Sequence, residues 1–321
     1  MQLTNNELTS LVHGFIYNTQ KDDGYNLYYR CLPEQINHLE KVDKFLYDRS
    51  FFQASVTVEF ETNATDISFD YKIFNVGALD SFDIYINGEP YQFISLVSDI
   101  KQNTINVHLP EGHKCLTIYL PCDAETGIKN LNINGTWKSI PNKNETFLCY
   151  GDSITHGYGS LKASITYINT LKRELNCEVL NLGIGGYWFD ENYVLPMNDL
   201  KPDKILVALG TNQLWSTDKY ERIDKFFLKL KEVYPNVPTI VITPIWRGDR
   251  EGTDELILDM KQYLIKTTKK YSNINVIDGS ILVPHIEYYF LDNLHPNGLG
   301  MDVYGRNLVK KIKELNLWKK S

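Results

Sequence analysis

From about residue 50 to residue 140 the apolar positions alternate with polar ones. Val56, Val58 and Phe60 alternate, as do Ile67, Phe69, Tyr71 and Ile73, and then Phe82-Ile84-Ile86, Ile105-Val107 and Leu116-Ile118-Leu120. This period of two is that of strands buried on one face. Turn sequences separate the runs: Asn87-Gly88, Pro110-Glu111-Gly112 and Asn134-Gly135. Short strands with no helical pattern between them predict a β-sandwich, with a jelly-roll variant as one form of it. Tyr25, Tyr28, Tyr29, Tyr71, Tyr85 and Tyr91 read mostly as strand formers.

After about residue 146 the pattern changes. Thr146–Tyr150, Val179–Leu182, Lys204–Leu209, Thr239–Thr243 and Asn275–Ile277 read as short apolar strands. Between and after them, Ile168-Leu171-Leu175, Ile223-Phe226-Phe227-Leu230, Leu256-Met260-Tyr263-Leu264 and Met301-Tyr304-Leu308-Ile312-Leu315 have the spacing of helix faces. Such alternation predicts a three-layer α/β/α domain around a parallel sheet. The expected division is a sandwich over 1–140 and an α/β domain over 146–321, joined by a polar linker at Lys138–Glu145.

Composition narrows the function. The chain has 321 residues, enough for two cores, and its apolar and charged fractions of 43% and 23% are those of a globular protein. A net charge of −7 argues against nucleic acid as a partner. No apolar run approaches the ~18 residues of a membrane span, and the polar start, Met1–Ser10, does not read as a secretory signal. Five cysteines without a CxxC pair fit buried thiols in a cytoplasmic protein and give no support for structural zinc. Asn63-Ala64-Thr65 and Asn144-Glu145-Thr146 match the glycosylation pattern, which is short enough to arise by chance.

In an open parallel sheet, ligands bind beyond the carboxyl ends of the strands. Gly151-Asp152-Ser153 follows the first predicted strand of the α/β half, Gly183-Ile184-Gly185-Gly186 the second, and Gly210-Thr211-Asn212 the third; Asp292-Asn293-Leu294-His295 follows the last. A serine hydroxyl needs a base to become a nucleophile, and an imidazole serves near neutral pH. A carboxylate three residues before His295 is placed to accept its second ring N–H. The backbone N–H groups of Ser153 and Gly186 and the side-chain amide of Asn212 would stabilise a tetrahedral oxyanion, with Gly185 as a rival donor. His156 is a rival base, read as lining or structural; Asp152 reads as a partner of local backbone N–H groups and His285 as structural. Trp188, Trp215 and Trp246 fall on loops after strands, where stacking on a sugar or acyl group competes with core packing.

These four blocks, in this order, resemble the conserved blocks of the SGNH/GDSL hydrolase superfamily. The resemblance implies a Ser153–His295–Asp292 triad and hydrolysis of esters without metal or organic cofactor. Ser81-Phe82-Asp83-Ile84-Tyr85 is similar, at Asp83 and Tyr85, to a G-x-D-L-Y signature of two-domain bacterial esterases that carry a jelly roll before the hydrolase domain. Relatives of this architecture commonly deacylate carbohydrates, which makes an acetylated oligosaccharide or another small ester the expected substrate. The alternatives are a lipase, lysophospholipase or thioesterase, and a carbohydrate-binding protein with a vestigial hydrolase domain.

Overall fold

A computed structural model describes residues 1–318 except 79, 98, 144, 198 and 199. Asn144, the head of the second Asn-x-Thr sequence, lies outside the described residues.

The alternating half forms two antiparallel sheets. One runs in the order 12–13, 57–62, 114–119, 81–86, 89–95, with 137–139 also paired to 57–62. The other runs 17–20, 26–29, 124–133, 66–76, 102–108. Their inward residues meet in one core, in which Val58, Phe60, Phe82, Ile84, Leu116 and Ile118 of the first sheet face Ile67, Phe69, Ile105, Val107 and Ile128 of the second. The Asn87-Gly88 turn makes the expected hairpin: both residues have positive φ, 53° and 83°, and Ile86 pairs with Glu89 across it. Pro110-Glu111-Gly112 and Asn134-Gly135 instead carry the chain from one sheet to the other. Lys138 and Ser139 belong to the sandwich, so the connection proper is shorter than the expected linker and begins at Ile140.

The second half is a five-stranded parallel sheet in the order 178–181, 146–151, 204–208, 239–242, 274–277. Helices 167–175 and 298–314 cover one face and helices 219–233 and 253–268 the other. The order reverses at the strand 146–151, whose neighbours on its two sides come from the next two strands in sequence. That reversal is the switch point at which open α/β sheets bind ligands.

Residues 30–50 depart from the pattern of the half that contains them. Helices Pro33–Val42 and Lys44–Ser50 lie within the sandwich half of the sequence, yet Cys31, Ile36, Leu39 and Leu46 are part of the α/β core beside Leu180, Leu182 and Ile184. Arg30 is fully buried and donates to the carbonyls of Phe52, Asn181 and Gly183 (2.7, 2.6 and 2.7 Å) and of Arg49 (3.2 Å). A buried guanidinium with all these acceptors satisfies carbonyls that would otherwise be orphaned. Further ties cross between the halves. Lys172 pairs with Glu59 at 2.6 Å, both buried, and Asp83 accepts the Ser164 N–H at 2.7 Å. Tyr85 packs in one cluster with Tyr119 and Ala163, under the Arg173 guanidinium. Asp83 and Tyr85, the two residues shared with the esterase signature, thus both hold the sandwich against the α/β half.

Candidate active site

Ser153 opens a one-turn helix, Ser153–His156, at the end of the first parallel strand. Asp152 caps it, accepting the Ile154 N–H at 3.0 Å, and Gly157 ends it at φ 112°. The turn is so tight that a Cβ on Gly151 would lie 1.9 Å from Thr155 Oγ1, so no other residue fits there. Burial pushes the Asp152 carboxyl up to about 7, the bond from Ile154 opposing it; this acid serves the backbone of the turn.

His295 Nε2 lies 2.8 Å from Ser153 Oγ, and its Nδ1 lies 2.8 Å from Asp292 Oδ2. Asp292 also accepts the backbone N–H groups of His295 (2.8 Å) and Leu294 (3.1 Å) on Oδ1. Partial burial raises its carboxyl, but the hydrogen bonds from the His295 backbone and ring outweigh it and hold the group below the usual carboxylate range. With Asp292 ionised, Nδ1 carries the proton and Nε2 presents a lone pair to the serine hydroxyl. The loop is anchored at its ends, by Leu291 N–H to the His295 carbonyl (2.8 Å) and by Gly248 N–H to the Asn293 carbonyl (2.6 Å).

The second loop, 183–186, is set by Asn181. Its Oδ1 accepts the Gly183 N–H (2.9 Å) while its Nδ2 donates to the Thr155 carbonyl (2.8 Å), which locks the loop to the serine turn. Gly186 has φ 83°. Among the described residues the N–H groups of Ser153, Gly185 and Gly186 have no protein acceptor, so either glycine remains available as a donor. Asn212 follows the third strand in a short 3-10 turn; one of its amide hydrogens goes to the Tyr187 carbonyl (2.8 Å), and the other stays available.

The remaining residues singled out in the sequence are placed as follows. His156 is buried and donates from Nε2 to the Cys122 carbonyl at 2.9 Å. Burial, with Arg30 and Arg49 nearby, pushes its imidazole well below the usual range, so it is neutral and bonded away from the serine. His285 stacks on Trp246, which also packs edge-on against Phe290. Trp188 stacks on Tyr187 against the α/β core. Trp215 is exposed, with the Arg247 and Arg250 guanidinia 5.0 and 4.8 Å from its ring centre. Among the described residues no ring contact joins these three tryptophans to one another. The sequence pattern missed Arg30, Phe45, Arg49 and Tyr158. Tyr158 packs edge-on against the His295 ring at 4.6 Å. An arginine within Tyr28-Tyr29-Arg30-Cys31-Leu32 was a readable sign of a buried charge; the others carry no local signal.

Residues 149–303 match the GDSL-like lipase/acylhydrolase family. No curated protein matches the chain by sequence. Among solved structures, the chain is similar to a salicylyl-acyltransferase, SsfX3, from a tetracycline biosynthetic pathway. The TM-score is 0.79 at 17% identity, over 99% of this chain and 98% of that one. It is equally similar to a protein described as a GDSL-like lipase from Bacteroides ovatus, with a TM-score of 0.79, 18% identity and the same coverage. A family two carbohydrate esterase from Clostridium thermocellum, solved with cellohexaose, has a TM-score of 0.64 at 15% identity over 82% of this chain and 93% of that one. The shared fold covers both halves, and the match to the GDSL-like lipase/acylhydrolase family falls within the α/β half of this chain.

Proposed function

We propose that the chain is a serine esterase that removes small acyl groups, acetyl foremost, from a carbohydrate through an acyl-Ser153 intermediate. The continuous hydrogen-bonded line Ser153 Oγ–His295 Nε2/Nδ1–Asp292 carries this reading. Ser153 Oγ attacks the ester carbonyl as its proton passes to His295 Nε2. The negative charge on the former carbonyl oxygen is met by the N–H groups of Ser153 and Gly186 and the free amide hydrogen of Asn212. Collapse breaks the bond to the alcohol, which leaves with the proton held by His295. Water then repeats the sequence, its proton going to His295, and releases the acid. The residues call for no metal or organic cofactor. Sugar contacts fall to the sandwich side of the site and to Trp188, Trp215 and Trp246.

The carbohydrate assignment draws support from the neighbouring carbohydrate esterases and from the sandwich that accompanies the hydrolase fold. The full-length likeness to a salicylyl-acyltransferase favours one second reading, in which an acceptor alcohol takes the place of water in the second half-reaction. An ester panel from p-nitrophenyl acetate to long acyl chains, run beside acetylated xylo- and cello-oligosaccharides, tests the proposal. A falling kcat/KM with acyl length and turnover of the acetylated oligosaccharides are expected. A preference for long acyl chains would point to a lipase, and acyl products on an added alcohol would establish transfer.

A further inference from the structure

Helix Lys44–Ser50 lays one side along the oxyanion loop. A Cβ on Gly186 would sit 3.4 Å from Phe45 Cε1 and 3.8 Å from Leu46 Cδ2, and one on Gly185 would sit 2.9 Å from Arg49 Cδ and 3.0 Å from Arg49 Nε. The Arg49 guanidinium carbon lies 3.4 Å from the centre of the Phe45 ring, which is itself 49% exposed. The cation is half-buried, and burial lowers its affinity for its proton, while the nearby Asp123, Tyr158 and Asp48 oppose that effect. Nevertheless no carboxylate among the described residues comes within ion-pair distance of it, and its guanidinium donates no hydrogen bond to them; Asp48 is bonded to Lys44 instead. Tyr158, one of the groups that Arg49 feels, packs on the ring of His295. The guanidinium, without an ion-pair partner among the described residues, therefore lies beside Gly185 of the oxyanion loop.

We infer that Arg49, held over the Phe45 ring, is a specificity residue that selects esters carrying a carboxylate close to the scissile bond. A guanidinium presents a planar fork of N–H donors that matches a carboxylate, and partial desolvation strengthens the pair. The chain as a whole is negative, by −7, so its overall field does not favour an anionic substrate and the recognition is local. The carboxylate is supplied either by the alcohol, as in an acylated acidic sugar, or by the acyl group, as in a half-ester of a dicarboxylic acid. The inference rests on the esterase reading and sharpens its substrate class.

Two matched pairs separate the sources: 4-acetoxybenzoate against 4-acetoxybenzamide, and phenyl hydrogen succinate against phenyl succinamate. In the wild-type protein the kcat/KM ratio, anion over amide, is expected to exceed ~10 for one pair, in line with a charge-assisted bond. It should fall to near unity in Arg49→Gln, be partly kept in Arg49→Lys, and decline with added salt. A wild-type ratio near one for both pairs would overturn the inference. So would equal losses on both members of a pair in Arg49→Gln, which is the signature of a merely structural arginine. If Arg49→Gln does not fold, the wild-type protein decides alone, because benzoate should protect Ser153 from a fluorophosphonate and benzamide should not; equal protection would refute it. Absence of hydrolysis for all four esters would instead refute the esterase reading.

Discussion

Asn212 illustrates how one side chain can serve structure and chemistry together. Its Nδ2 spends one hydrogen on the Tyr187 carbonyl, which fixes the amide plane and leaves the second for the oxyanion role proposed for it. Asn212→Ala is therefore expected to lower kcat by roughly 10²–10³ with little change in KM, measured on p-nitrophenyl acetate. A change confined to KM would move Asn212 from the oxyanion to substrate binding. The grouping of Ser153, Asp292 and His295 was legible in the sequence, because acyl transfer would require those residue types and each follows a strand; the structure hydrogen-bonds the three together. Arg49 and Tyr158 were not legible: a lone arginine or tyrosine has no spacing to betray it, and their surroundings come from segments far apart in the chain.

The segment 30–50 shows what a single element contributes. Its helices bury Ile36, Leu39 and Leu46 against the α/β sheet, and Arg30 grips the carbonyls of Asn181 and Gly183 on either side of the loop's start. Arg30→Met would leave these buried acceptors unpaired, at about 1–3 kcal/mol each. The expected result is a lower Tm together with a kcat loss larger than any change in KM, since the oxyanion loop is what loosens. Unchanged kcat in a folded Arg30→Met protein would show that the loop holds without the clamp. The strands and helices after residue 146 were readable because each carries its own apolar face. Residues 30–50 were not, because the surface that completes their helix faces lies some way past residue 140, and nothing local distinguishes Ile36 and Leu39 from sandwich positions. Pro33 at the start of the first helix was the one positional sign.

The two halves of the molecule are joined by buried charge as well as by apolar contact. Lys172 on the hydrolase side meets Glu59 on the sandwich side; burial raises the Glu59 carboxyl, but Lys172, His13 and the Thr57 hydroxyl together outweigh it and hold it down at about 2. Lys172→Met, which among the described residues leaves the buried Glu59 only the more distant Lys143 at 4.0 Å as a cationic partner, is expected to cost ~3–5 kcal/mol in a denaturant melt, and adding Glu59→Leu should recover most of it. A loss under about 1 kcal/mol would mean that the pair is solvated rather than joining the halves. Nearby, Asp80 accepts the Cys122 N–H, and burial pushes its carboxyl up to about 7 and that of Asp123 up to about 6. Both lie above the ordinary carboxylate value of the unfolded chain, so the stability they contribute is fully present below about pH 4 and is lost as pH rises through 6 to 7. Glu59 and Asp292 are already ionised in that window; His156, neutral in the fold but protonated in the unfolded chain below about pH 6.5, offsets part of the loss, and Asp152, raised like Asp80 to about 7, adds to it. Tm should thus fall between about pH 5 and about pH 8, and less steeply in Asp80→Asn; an unchanged slope in the variant would remove Asp80 as a source. These ties also mean that a fragment starting near residue 140 would lack the Arg30 clamp, the helices beside the oxyanion loop and the partner of Lys172.

The central claim is that Ser153, activated by His295, forms the covalent intermediate. Treating the full-length protein with a fluorophosphonate and reading its intact mass and peptide map tests that directly. One adduct per chain on Ser153 is expected, absent in Ser153→Ala and much slower to form in His295→Ala. No adduct on the folded wild-type protein, or one on a different residue, would contradict the claim.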